Sequence, residues 1–295
     1  MQEVMEGKTQ IKFKPCGTSA GLISVFNLFL TSAITFTRKF LLMQYIAQEA
    51  VIPLRVEARE GAEMVSQMLF GETCELLDDS RDDWWQVRLH PDGYEGWLTP
   101  KMLLPLANAA SHKHAFVMGG SLILEDDSNL RLPMGARIPL ATEGPMGAFT
   151  ISGKTWRPGP DLRWIPQQEP EQLLALAKCL RNTSYLWGGR SSFGIDCSGF
   201  SQLIYRMVGI ELPRDSSQQA KRGREVSFAD QASGDLAFFG KAGTDRVTHV
   251  GILDGQGNIL HASGKVRQDR LSEQGIMPEG AKEPSHIFFY MRRYL

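Results

Sequence analysis

The sequence predicts an α+β domain at residues 168–295, preceded by two small β-barrels. Three observations carry that expectation. Residues 49–107 and 108–167 read as two consecutive units of short strands broken by turns, the signature of small all-β modules. Apolar spacing then changes to a helical period near Gln167. Beyond it, helical patterns give way to strand-like runs, the order of an α+β domain.

In the first unit WWQVRL alternates, HPDG turns, and YEGWL resumes the strand. In the second, HAFVM is followed by a GG break, then by SLILEDD, ARIPLATEG, AFTISG and RWIP. Leu173, Ala177 and Leu180 share one face of an amphipathic helix. A second helix follows Cys197, with Phe200, Leu203, Ile204 and Met207 on one stripe and Gly209 at the capping position. The runs DLAFFG, VTHVGIL, NILHAS and HIFFYMRR read as strands.

Residues 1–48 differ from the rest and are set apart as a leader. An uncharged stretch at 20–36 is shorter than the ~20 residues a membrane helix needs, and Asn27 interrupts it, so no stable span is expected. A signal segment and upstream sequence ahead of a start at Met43 remain open. A cytoplasmic location is the expectation; a periplasmic or secreted one follows if residues 1–42 are a signal segment.

Lys plus Arg number 32 against 33 Asp plus Glu, so there is no basic footprint for nucleic acid. Recognition must come from local pockets. None of the four cysteines forms a CxxC pair or has zinc-finger partners, which leaves no metal site and no disulfide scaffold to expect. Cys74 and Cys179 lie among apolar neighbours and read as core thiols. Cys197 lies in GIDCSGF, where a helix begins, and the positive end of the helix dipole favours a nucleophilic thiolate there.

His249 and His261 stand in two strand-like runs joined by DGQGN. A hairpin with that five-residue loop sets Leu253 opposite Ile259, Gly251 opposite His261 and His249 opposite Ser263. The two imidazoles then emerge on one face as diagonal neighbours, while Val250 and Ile252 point into a core. One ring can deprotonate Cys197 while the other orients it. The plain alternative is two unrelated polar residues in an edge hairpin.

YLWGGRSSFGIDCSGF, LPRDSSQQ, GDLAFF, THVGIL and ILHAS, in this order, resemble the NlpC/P60 family over essentially all of 168–295. The resemblance implies a papain-like fold and a cysteine peptidase with the triad Cys197, His249 and His261, needing no cofactor. GYEGW at 93–97 resembles a bacterial SH3-like domain; the second barrel resembles one only loosely. With the SH3-like units the chain is similar to γ-D-glutamyl-L-diamino acid endopeptidases, which implies a murein peptide as substrate. The resemblance further implies Tyr185 as oxyanion support and Trp187 as a wall of the cleft. It implies Asp196 as partner of the free amine of L-alanine, and Ser198 and Ser216 as a carboxylate site; Asp215, beside Ser216, is a further substrate-binding candidate. Glu63 and Tyr94 are the matching candidates for reading the peptide amino terminus from the first barrel. Plain alternatives stay open: a core tyrosine, a core tryptophan, helix caps at Asp196 and Ser198, and a solvated Glu63. Two other functions also remain: a general wall hydrolase or amidase, and a wall-peptide binding module without catalysis. Oligomeric state is not readable.

Overall fold

The computed structural model describes residues 44–106, 113–139 and 147–295. The uncharged stretch and Cys16 lie outside the described residues. The leader ends earlier than expected, however. Gln44–Ala47 is already a strand, because Tyr45, Ile46 and Ala47 are buried in the first domain.

That domain comprises β1 (Gln44–Ala47), β2 (Val51–Arg55), β3 (Met64–Leu69), β4 (Thr73–Arg81), β5 (Trp84–Leu89), β6 (Glu95–Leu98) and β7 (Leu103–Leu106). They form one antiparallel sheet in the order β3-β2-β6-β5-β4-β1-β7. Alternation works as expected in β5, where Val87 and Leu89 are fully buried.

The second domain holds β8 (His114–Ile123), β9 (Asn129–Leu132), β10 (Arg137–Pro139), β11 (Phe149–Ile151), β12 (Lys154–Pro158) and β13 (Arg163–Ile165). Here the expected GG break is corrected: β8 runs straight through Gly119 and Gly120. Both glycines have positive φ (136° and 117°), which bends the strand instead of ending it. One half of β8 then pairs with β10 and β13 and the other with β9 and β12. Phe70 of the first domain is buried in the core of the second, against Trp156, so the two pack as a unit.

The remaining elements are α1 (Leu173–Cys179), β14 (Arg190–Ser191), β15 (Gly194–Ile195), α2 (Cys197–Met207), α3 (Ser216–Gln219), β16 (Arg224–Val226), β17 (Leu236–Gly240), β18 (Val247–Leu253), β19 (Asn258–Ser263), β20 (Lys265–Ser272), β21 (Gly275–Met277) and β22 (His286–Arg293). The sheet order is β16-β22-β17-β18-β19-β20-β21, and β21 pairs back with β22 to close it. Helix α2 is buried along its whole length, and its stripe packs with Val250 and Ile252 of β18. In α1, Leu173, Ala177 and Leu180 face the core as expected. Cys179 does not: it is exposed, because it falls on the outer face of that helix. Cys74 is fully buried. Among the described residues no helix is long and apolar enough to cross a membrane.

The first barrel is fastened to the catalytic domain by a buried carboxylate. Glu72 follows β3, is 0% exposed, and accepts from Leu69 N–H at 2.9 Å. Two arginines of the catalytic domain meet it: Arg206 of α2 at 2.6 Å and Arg190 of β14 at 3.2 Å. Arg190 also donates through Nε to Gln202 at 2.8 Å and through its backbone N–H to Gln67 Oε1 at 2.8 Å. Burial alone would push the Glu72 carboxyl up, but Arg190, Arg206 and Arg137 outweigh it and hold it below the usual carboxylate range. Close backbone approach adds to the seam. Gly188 has φ 76°, and a Cβ there would lie 2.3 Å from the Met64 carbonyl oxygen.

Removing one partner of such a cluster strands buried charge. Glu72→Ala is expected to destabilise the protein by about 3–5 kcal/mol, because in a dry interior Arg190 loses its counter-ion and Arg206 keeps only Glu211 close by. Urea unfolding of the variant against the parent measures it; a change under about 1 kcal/mol is the size of an exposed pair and would contradict the buried role.

Candidate active site

Cys197 is the first residue of α2, and Asp196 caps that helix by accepting from Gly199 N–H at 2.7 Å. Asp is a preferred N-cap, so the acid that precedes the thiol also starts its helix. The same carboxylate accepts from Gly188 N–H at 3.0 Å and from both terminal nitrogens of Arg214, at 3.0 and 2.5 Å. Asp196 is thus cap and ion-pair partner at once. Arg214, buried, also donates to Ser198 Oγ at 2.9 Å and to Ser66 Oγ of the first barrel at 3.2 Å.

The thiol is only 7% exposed. Burial, with Asp196 adding repulsion, pushes it up to about 12. Backbone hydrogen bonding from Val250 and Ser198 and the charge of Arg214 pull the other way without prevailing. Desolvation of the thiol thus opposes the stabilisation of charge expected at a helix N-terminus.

The hairpin has the anticipated register, with Gly251 opposite His261 and Leu253 opposite Ile259. His249 Nε2 lies 2.8 Å from His261 Nδ1, and both rings are buried. Burial, then His261, then His286 hold His249 well below the ordinary histidine value.

Two neighbours of this pair were missed by sequence reasoning. His286 of β22 stacks on His249, with ring centroids 4.1 Å apart and planes 25° from parallel. Asp269 of β20 accepts at 2.9 Å from His261 Nε2. No motif flagged either, since both sit in strands whose pairing must be known first. Arg214 was passed over as well, although it stands in the LPRDSSQQ segment.

A cleft of about 560 Å³ opens over the thiol. The structure brings Glu63, Tyr94, Tyr185, Trp187, Asp196, Cys197, Ser198, Asp215 and Ser216 together along its walls. His249 and His261 are outside that lining; Val250, next to His249 on β18, hydrogen-bonds the thiol through its backbone. Trp187 is 62% exposed, so it is no core filler, and its Nε1 donates to Glu63 Oε1 at 2.6 Å. Tyr94 donates to Asp215 Oδ1 at 3.4 Å. Burial raises the Asp215 carboxyl against the pull of Arg214. Burial, then the charges of Cys197 and Asp196, raise the Tyr185 phenol, which keeps it a protonated donor. The cleft wall is thus partly acidic and hydroxyl-bearing, and the first barrel supplies part of it. Among the described residues no group of three or more His, Cys, Asp or Glu is placed to hold a metal ion.

A nucleophile at a helix start, an imidazole pair on the adjoining hairpin and a peptide-sized cleft define a cysteine peptidase. Residues 182–282 match the NlpC/P60 family model, and residues 54–103 match the bacterial dipeptidyl-peptidase Sh3 domain. The gamma-D-glutamyl-L-lysine dipeptidyl-peptidase of Bacillus cereus is 30% identical over 262 residues, covering 78% of this chain and 75% of that protein. Its namesake in Bacillus subtilis is 30% identical over 212 residues, covering 67% and 71%. The crystal structure of an NlpC/P60 family protein from Bacillus cereus superposes with a TM-score of 0.71 at 23% identity, covering 85% of this chain and 99% of that one. The chain belongs to the NlpC/P60 family.

The buried histidines set a pH limit on stability. His249 lies well below the ordinary value, and burial pushes His114 and His286 down to about 4. Unfolded, each takes a proton near pH ~6.5. Their folded values are lower, so the unfolded chain binds more protons and stability falls as pH drops from ~6.5 toward 4. Thermal melts at pH 7.5 and 4.5 measure the loss. A slope unchanged in His286→Gln would remove that histidine from the account.

Proposed function

We propose that this enzyme cleaves the bond between γ-D-glutamate and the diamino acid in murein peptides that carry a free amino-terminal L-alanine. The carrying observation is the cleft whose walls hold Cys197 together with Glu63, Tyr94 and Asp215. An ammonium leaving water for that cleft finds two anions and a hydroxyl to replace its hydration. Asp196 faces the same cleft but is already paired with Arg214, so it shapes the field rather than carrying spare charge. Ser216 and Ser198, the latter backed by Arg214, stand where the α-carboxylate of D-glutamate would be held.

The reaction is acyl transfer. Cys197 sulfur attacks the γ-carbonyl carbon of D-glutamate as its proton passes to His249. Tyr185 O–H and backbone N–H groups at the start of α2 stabilise the oxyanion. The His249 proton then goes to the departing amine of the diamino acid, leaving a thioester. Water, deprotonated by His249, releases the dipeptide acid and restores the thiol. His261 orients His249.

A peptide still amide-bonded to muramic acid offers no ammonium, so the reading is of an enzyme for released fragments. The cytoplasm is the compartment this suits.

Incubation with L-Ala-γ-D-Glu-diaminopimelate, with its N-acetyl form and with intact sacculi, followed by mass identification of products, tests the proposal. The free tripeptide is expected to yield L-Ala-D-Glu, and acetylation to lower kcat/KM roughly 10²-fold, because the half-buried Asp215 and the exposed Glu63 lose their counter-charge. Cys197→Ala should abolish turnover while keeping the fold. Equal rates on the free and acetylated peptides would instead indicate a general wall hydrolase. Binding without cleavage would indicate a wall-peptide binding module.

A further inference from the structure

The hydrogen-bonded chain from His249 does not end at His261. Asp269 Oδ2 lies 2.9 Å from His261 Nε2, and Arg267 grips the carboxylate from the far side, Nε to Oδ2 and a terminal nitrogen to Oδ1, both at 2.7 Å. We infer that Asp269 is a positioning residue that dictates where the protons sit on both imidazoles, and so which nitrogen of His249 faces the thiol as a base. This rests on His249 being that base.

The deduction runs from the carboxylate inward. An ionised carboxylate only accepts, so His261 Nε2 must carry the hydrogen in that bond. A neutral ring has one N–H, so His261 Nδ1 is left with a lone pair. That lone pair is 2.8 Å from His249 Nε2, which must then be the donor. His249 Nε2 being protonated, its Nδ1 is bare, and it is the nitrogen left for the sulfur proton. Without the carboxylate, either orientation of the chain satisfies the His–His hydrogen bond, and one of them places N–H at Nδ1 and blocks the base.

Asp269 is suited to the task. Burial would push its carboxyl up, but hydrogen bonds from His261 and Arg267 win and keep it below the usual range. The groups facing the pair are His286, stacked on His249, Arg267 and Asp269 itself. When His249 takes the thiol proton, the cation formed is connected to this anion through one ring, in a site dry enough for the attraction to persist.

Asp269→Asn keeps the shape but offers one acceptor to two donors. Arg267 takes the oxygen and the amide N–H₂ turns toward His261 Nε2, which reverses both rings. The expected loss in kcat is roughly 10²-fold with KM nearly unchanged, smaller than the ~10⁴-fold seen where a carboxylate touching the catalytic imidazole is replaced. Asp269→Glu should recover part of the rate, which simple packing damage would not allow. Independently of turnover, ¹⁵N-histidine NMR of the inactive Cys197→Ala protein should find His261 protonated on Nε2 and His249 bare on Nδ1, with both reversed when Asp269→Asn is added. A rate within about threefold of the parent in a folded Asp269→Asn enzyme, or His261 bare on Nε2 in the parent ring pair, would overturn the inference. The expected tautomers in a protein that cleaves no murein peptide would uphold it and bring down the proposed function alone.

Discussion

The architecture turns on one buried carboxylate. Glu72 belongs to the first barrel, yet its charge is neutralised by Arg190 and Arg206 of the catalytic domain. Each side lacks a partner without the other: Glu72 would lose both guanidiniums, Arg190 its carboxylate, and Arg206 would keep only Glu211 as a close ion-pair partner. The cost of leaving such charges unpaired in a low-dielectric interior makes the domain arrangement close to obligatory. That arrangement carries Glu63 and Tyr94 to the rim of the cleft. The barrel's share of the cleft wall is therefore a consequence of electrostatic pairing at a seam away from the cleft.

Within the cleft, dryness does two things. It disfavours the charged forms of the thiol and of His249, and it strengthens each charge that is compensated. Arg214 shows the second effect: fully enclosed, it balances Asp196 and braces Ser198. The nucleophile thus sits in a dry pocket whose surroundings are strongly polar, ready for charge that develops during reaction.

The parts legible in sequence were those governed by local rules. The β18–β19 register followed from strand periodicity and a five-residue turn, and it brought His249 and His261 together because diagonal neighbours on one face of a hairpin must meet. Helix α2 was legible from its apolar stripe. Features that failed depend on distant partners. Glu72 looks like an acid in a turn, and its partners lie 118 and 134 residues further on. Asp269 sits in KVRQDRLS, too charged to suggest a strand, and reaches His261 only because β20 pairs with β19. The Gly119–Gly120 pair reads as a break because two glycines usually end a strand, whereas here they bend one that serves two sets of partners. Cys179 was misjudged by one helical position, where a local apolar context says nothing about which face is outward.

The bond from Arg214 to Ser66 spans 148 residues and ties the nucleophile's capping acid, through one guanidinium, to the roof above it. Chains emerge from the ribosome amino end first, and domains tend to fold in that order. Ser66 and Glu72 are thus made well before Cys197 and its histidines. Arg214 gains its full set of partners only when the later segment meets the earlier one, so the cap of the nucleophile's helix and the seam with the first barrel are completed together.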